Sequence, residues 1–270
     1  MEYPLLSLEL AREIELAEAE AAVAGAERLA AHGDGVGAVA SVGGGYAVYC
    51  GANSPVTQAV GLGLSGAVSK EEFDRLEKFY LSRKETVRVE SCPMADGSLI
   101  EHYRERGYHV SEFSNVMVRP VEKAAAAMPA GIEIQKAADG EIDLWTLTVA
   151  QGFAEHFPVT QEILSVMRLF ANGKNTECYF ARVDGKIAGG ATLALRGRIA
   201  GLFGASTLPA FRNRGVQTAL LHARMQRAAE ERCELAMSLA VPGSASQRNI
   251  TRQGFRTLYT RVKFERVFEP

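Results

Sequence analysis

One order of elements, spelled out twice, does most to limit what this chain can fold into. In the second half, "RIAGLFGAST" (198–207) reads as a strand, 215–231 as a helix and "ELAMSLA" (234–240) as a strand. The loop "VPGSAS", the short helix "QRNITRQ", the pair Gly254-Phe255 and the strand "LYTRVKFERV" follow. In the first half the strand-like "VTQAVGLGL" (56–64) precedes a helix marked by Phe73, Leu76 and Tyr80. After it come the strand "TVRVES" (86–91), the short helix "GSLIEHYRERGY" ending at Gly107-Tyr108, and the strand "FSNVMVRP". A strand–helix–strand crossover repeated with "ERGY" opposite "RQGF" predicts a divergent internal duplication. At 270 residues the chain suits two domains of roughly 100–150 residues each. The alanine-rich "VEKAAAAMPAG" (121–131) looks like the link between them. The expected division is therefore 1–122 and 123–270, two α/β domains with mixed α+β sheets.

The remaining stretches fill in the two halves. Residues 6–31 lack Pro and place Leu10, Ile14, Ala17, Ala21 and Ala24 at helical spacing. "YAVYC" (46–50) reads as a strand after glycine clusters at 33–37 and 43–45. Beyond the link, "IEIQKA" is a first strand, and Ile142, Trp145, Val149 and Phe153 form a helix stripe with Trp145 in the core. Ile163, Val166, Met167 and Phe170 form a second stripe. "ECYFARVDGKIAGGATLAL" then predicts a hairpin turning at Asp184-Gly185.

Composition narrows the function classes. Apolar residues make up 47% and charged residues 23%, with a formal net charge of −2. That balance gives no global reason to bind nucleic acid or an anionic membrane. No apolar run approaches the roughly 18–20 residues of a membrane helix, and the glutamate-rich start does not read as a secretory signal. Cys50, Cys92, Cys178 and Cys233 form no C-x-x-C pair, so buried reduced thiols and a cytoplasmic protein are expected. The five histidines offer no H-x-x-x-H pair and no Cys/His cluster has metal spacing, so no metal is expected. "GLGLSG" (Gly61, Gly63, Gly66) matches G-x-G-x-x-G, but the helix after it opens with Glu71 and Glu72, the wrong charge for a dinucleotide.

The two crossover helices start differently. The first backbone N–H groups of a helix lack partners inside it and make that end electropositive. In the first half, Ser69-Lys70-Glu71-Glu72 fits a capping box, which closes the end with protein groups. In the second half, Arg212-Asn213-Arg214-Gly215-Val216-Gln217 carries no carboxylate, two guanidinium groups and a glycine. Such an end suits a pyrophosphate, although an ordinary basic surface turn reads the same way.

Pro209-x-x-Arg212-x-x-Gly215-x-Gln217-x-Ala219-Leu220-Leu221 resembles the acyl-CoA signature of the GNAT N-acetyltransferases, whose core is Arg/Gln-x-x-Gly-x-Gly/Ala. "SASQRNITRQGF" and the strand "GLFGAST" sit where that family's second signature and pantetheine-pairing strand belong. The resemblance covers residues 130–270, and the first half resembles a degenerate copy, making the chain similar to tandem GNAT proteins. It implies acetyl-CoA as acyl donor, no metal, and an amine acceptor, with a small molecule the leading reading and a protein N-terminus left open. Ala205, Ser206 and Thr207 would pair with the pantetheine arm. The N–H groups of Asn213, Arg214, Gly215, Val216, Gln217 and Thr218 would hold the pyrophosphate. Gln217 departs from the pattern, which has Gly or Ala there.

A second departure concerns the proton donor. The family's frequent general acid is a Tyr four residues before the Gly-Phe pair, and this chain has Ile250 there, while the first half has Tyr103 at the matching place. Candidates elsewhere are Glu155, beside His156 between the two helix stripes, as a base, and Tyr259 as an acid. Solvated loop residues and core packing are the plain readings of the same side chains. Two functions stay open: an N-acetyltransferase working by direct attack of a neutral amine on the thioester, and a non-catalytic acyl-CoA-binding module.

Overall fold

The computed structural model describes residues 2–31, 36–122, 128–154, 159–173 and 175–268. Two compact units emerge, and neither is one continuous stretch. The first comprises Pro4–Met117, Leu239–Asn249 and Thr257–Pro270; the second comprises Met1–Tyr3, Val118–Ser238 and Ile250–Arg256. The cut expected at 122/123 follows the link in the sequence. Contacts instead divide the last strands, so that residues after 256 pack with the first unit.

In the first unit, helix α1 (Leu8–Ala31) precedes β1 (Ala38–Val42), β2 (Gly45–Tyr49) and β3 (Gln58–Val60). Then come α2 (Lys70–Leu81), β4 (Val87–Ser91), α3 (Ser98–Arg106) and β5 (His109–Pro120), with β11 (Arg256–Arg266) contributed from the chain's end. The strand order is β1-β2-β3-β4-β11-β5. β3 and β4 run parallel through Ala59↔Val89 and Val60↔Glu90, and β4 and β11 are antiparallel. β1 escaped the sequence reading because "AVASV" is short and hemmed in by glycines. The predicted strand 56–64 shrinks to three residues, since Gly61 and Gly63 take φ values of +72° and +73° that end extended structure.

The α2 stripe is core as its spacing predicts: Phe73, Leu76 and Tyr80 are all fully buried. Full burial of side chains of this size contributes about 1.5–3 kcal/mol each. The Tyr80 hydroxyl accepts from Val48 N–H at 3.0 Å, so its polar tip is satisfied.

The second unit contains β6 (Ile132–Lys136), α4 (Ile142–Phe153), α5 (Gln161–Ala171), β7 (Thr176–Val183), β8 (Lys186–Arg196), β9 (Ile199–Thr207), α6 (Val216–Glu230) and β10 (Leu235–Ala240). Helix α7 (Ala245–Arg252) follows, its residues up to Asn249 falling in the first unit and the rest in the second. Its strands run β10-β9-β8-β7-β6, with β9 and β10 parallel and the others antiparallel. The β7–β8 hairpin turns on Asp184 (φ +52°) and Gly185 (φ +72°), the two left-handed residues that an Asp-Gly turn supplies. Trp145 is fully buried and donates its indole N–H to Tyr179 O at 3.1 Å.

The duplication is visible in how the short helices end. Gly107 (φ +72°) and Gly254 (φ +84°) both take the left-handed conformation. Tyr108 N–H bonds to Tyr103 O at 3.0 Å, and Phe255 N–H bonds to Ile250 O at 3.1 Å. The same five-residue closure, with a glycine before an aromatic residue, thus ends α3 and α7.

Candidate functional site

In a parallel strand–helix–strand crossover the helix begins where the first strand ends, so its positive end lies beside the strand's last residues. In the second unit those parts are β9 and α6. β9 pairs with β10 only through Ile199↔Leu235, Ala200↔Ala236 and Gly201↔Met237. The Ser238 hydroxyl adds one bond to Leu202 O at 2.9 Å. From Phe203 to Thr207 the register pairs of β9 are with β8 alone.

Within that stretch β9 bulges. Thr192 pairs with Phe203 and Gly190 with Ser206, so Gly204 and Ala205 together oppose Ala191. Gly204 adopts φ +54°, which supplies the local kink. Beyond the bulge, the Ser206 hydroxyl donates to Val149 O at 2.9 Å near the end of α4. Gly152 makes this approach possible, since a Cβ there would come within 2.2 Å of Ser206 Oγ.

The connection from β9 to α6 presents backbone N–H groups. A 3-10 turn at Pro209–Phe211 leads to Arg212, then Asn213 and Gly215 take φ values of +60° and +83° around Arg214. Alternating left-handed residues of this kind curve the backbone into an anion-binding concavity. Among the described residues no side chain caps α6, and its first turn has no acidic residue. The first helical backbone bond is Ala219 N–H to Gly215 O at 3.0 Å. A Cβ on Gly215 would meet Pro129 at an ordinary 3.5 Å. The left-handed backbone therefore calls for the glycine, with no protein group crowding its Cβ position.

Side chains around the concavity are tethered. Arg212 Nη2 donates to Gly152 O at 3.2 Å. Arg214 pairs with Asp184 at 3.1 Å in an exposed ion pair, which is worth little in water and is easily exchanged for a phosphate. Gln217 Nε2 donates to Thr207 Oγ1 at 3.0 Å. Its long side chain thus reaches back to β9, which accounts for how a residue larger than Gly or Ala fits at this position. Thr218 and His222, one turn apart on α6, both lie within 3.4 Å of the Gln253 side chain.

The matching place in the first unit is closed by protein. Ser69 Oγ accepts from Glu72 N–H at 3.2 Å and Ser69 N–H donates to Glu72 Oε2 at 3.0 Å, completing the capping box. Glu72 Oε1 also accepts from Gly43 N–H at 3.3 Å. Beyond β3, Gly63 donates to Gly43 O and accepts from Asp96 N–H, both at 2.9 Å. The glycine-rich "GLGLSG" is therefore a turn fastened to its own unit.

The structure sorts the remaining candidates. Ala205, Ser206 and Thr207 share the second unit with residues 213–218, linked by the Gln217–Thr207 bond, whereas Tyr259 belongs to the first. Its hydroxyl donates to Glu15 at 2.7 Å, and Arg261 Nε donates to the same oxygen at 2.7 Å. Burial, with the Glu15 carboxylate beside it, drives the Tyr259 hydroxyl pKa well up. A group so committed is a poor proton donor, and we do not retain it as one. Tyr103 is likewise core: it is buried, bonded to Ser91 Oγ at 2.7 Å and stacked on Phe264 with centroids 4.2 Å apart. Glu155 and His156 lie outside the described residues. Among the described residues no group of three His, Cys, Asp or Glu is arranged to hold a metal ion.

The family model that matches this chain is the acetyltransferase (GNAT) family, over residues 144–255. Residues 144–255, most of which lie in the second unit, match a GNAT domain. The whole chain shares its fold with a GCN5-related N-acetyltransferase from Kribbella flavida, at 14% identity and a TM-score of 0.67 over 99% of this chain and 98% of that one. A GCN5-related N-acetyltransferase from Sphaerobacter thermophilus follows at 16% identity and TM-score 0.54, covering 97% and 94%. A tandem GNAT protein from the clavulanic acid biosynthesis pathway matches at 15% identity and TM-score 0.56, covering 87% and 80%. No curated protein matches the sequence. The fold is thus two GNAT-like units in tandem, and the GNAT domain belongs to a family of acyltransferases.

Proposed function

We propose that the GNAT domain transfers the acetyl group of acetyl-CoA to a primary amine of a small molecule, and that the first unit is a copy that does not bind CoA. The observation that carries this reading is the uncapped start of α6, curved by Asn213 and Gly215 beside a stretch of β9 paired on one side only. Backbone N–H groups from Asn213 to Thr218 suit a pyrophosphate. The β9 stretch of Ala205, Ser206 and Thr207 suits the amide groups of a pantetheine arm, which would pair as an added strand.

The chain's groups would act on the acceptor and donor by position. Backbone N–H groups at the β9 bulge would polarise the thioester carbonyl. The amine nitrogen attacks the carbonyl carbon, the C–S bond breaks, and the ammonium proton passes to a base. The thiolate takes its proton from solvent, because Ile250 stands at the usual donor position and Tyr259 is held by Glu15. Glu155 is the candidate base on the α4–α5 connection, to be tested by Glu155→Gln.

The second reading, an acyl-CoA-binding module without turnover, is favoured by that same missing acid. Thiol release from acetyl-CoA against a panel of amines separates the two. Turnover with any amine supports the enzyme, CoA binding without turnover supports the module, and absence of CoA binding overturns both.

A further inference from the structure

One strongly charged side chain is buried in the GNAT domain without a counterion. Arg224, on α6, is 3% exposed. Among the described residues no carboxylate pairs with it; Nε donates to Leu220 O at 3.0 Å and Nη1 to Thr192 O at 3.0 Å. A buried charge served only by backbone carbonyls is costly, because it gives up hydration and gains no opposite charge. Helix α6 had apolar choices at this position: Leu220, Leu221, Met225 and Ala228 are all buried nearby along it. Burial pulls the guanidinium pKa down to about 10, with Tyr179 the titratable group whose field reaches it. The side chain is therefore still a cation at neutral pH.

Its anchor lies at the bulge. Thr192 is the β8 residue that pairs with Phe203, the last rung before Gly204 and Ala205 swing out of register. Arg224 thus grips the strand that defines the bulge and places a positive charge beside it.

We propose that Arg224 is a positioning residue for the acyl group: it fixes the Thr192–Phe203 rung and, through its uncompensated charge, strengthens the pull of the β9 bulge on the thioester carbonyl. This rests on the reading that acetyl-CoA lies along β9. In that position a fixed cation favours the negative charge that develops on the carbonyl oxygen as the amine attacks. It also favours the thiolate, which leaves here without a tyrosine to protonate it.

The test uses CoA and acetyl-CoA labelled isotopically at the thioester carbonyl, so no acceptor is needed. Calorimetry gives the affinity for CoA, and difference infrared spectroscopy gives the carbonyl stretch of the bound acetyl group. Wild type is expected to lower that stretch relative to free acetyl-CoA. Arg224→Met and Arg224→Gln should keep CoA affinity within about threefold while losing most of the downshift, and should cost about tenfold in kcat once an acceptor is known. Arg224→Lys should regain the downshift as pH falls, because a buried lysine is charged only below its depressed pKa. An unchanged downshift in Met and Gln, or a downshift in Lys that ignores pH, overturns the proposal. If no variant folds, Arg224 is a structural residue and the proposal is equally overturned. Failure of wild type to bind CoA would instead sink the reading of the site itself.

Discussion

Replacing Gly215 by alanine isolates the backbone geometry on which the site depends. At φ +83° Gly215 sits where an L-residue is disfavoured, by about 1–2 kcal/mol. The new Cβ would make only ordinary contacts, 3.5 Å to Pro129 and 3.7 Å to Ile132, so strain is the whole perturbation. Residues 212–215 form a partly exposed loop that can relax out of the left-handed shape. Binding must then restore that shape, and about 1–2 kcal/mol corresponds to CoA affinity weakened about 5–30-fold. Gly107→Ala supplies the control. It introduces the same kind of strain at φ +72° with no heavy atom within 4 Å of its Cβ, at the end of α3 in the first unit. It should lower stability by about 1 kcal/mol and leave CoA affinity unchanged. Calorimetric titration of both variants with CoA decides the matter. Wild-type affinity in Gly215→Ala, or equal weakening in both, refutes the reasoning.

Asp184→Asn should free Arg214 from its exposed pair and raise CoA affinity about two- to threefold at low salt, an effect that fades as salt is added; titrations at two ionic strengths read it. Ser69→Ala removes the α2 capping box and should cost about 1 kcal/mol in denaturant unfolding, with CoA binding untouched. Burial would raise the Glu177 pKa, but hydrogen bonds from Tyr179, Arg227 and Lys136 outweigh it and hold the carboxyl at about 2. Its folded pKa lies below the unfolded value of about 4.3, so its stabilisation is present above that value and lost as pH falls toward 2. Unfolding followed across that window should show a slope that Glu177→Gln reduces. The four thiols are buried, and burial pushes Cys50 and Cys178 up to about 12, so a thiol reagent at neutral pH should meet them only after denaturant is added.

Much of the fold was legible because local chemistry and tertiary demand agree. The stripe Phe73, Leu76, Tyr80 is buried, Asp184-Gly185 turns the hairpin, and Ser69 and Glu72 form their box. The start of α6 was legible for the opposite reason, since a helix end without a cap is a local anomaly readable from residue types. Other features depend on residues distant in sequence and leave no local trace. Tyr259 alternates like any strand aromatic; only the fold brings Glu15 to its hydroxyl, 244 residues away. Arg224 reads as one more basic residue on a helix with basic neighbours, and only burial against Thr192 sets it apart. Gln217 broke the expected pattern, and its reason, the hydroxyl of Thr207, lies on another element.

The most direct measurement of the central claim is a crystal structure of the full chain with CoA. The account predicts one CoA per chain, its diphosphate on the backbone N–H groups of residues 213–218 and its pantetheine arm along Ala205, Ser206 and Thr207. A diphosphate at the start of α2, where Ser69 and Glu72 now close the helix, would contradict it. So would CoA bound away from both helix starts.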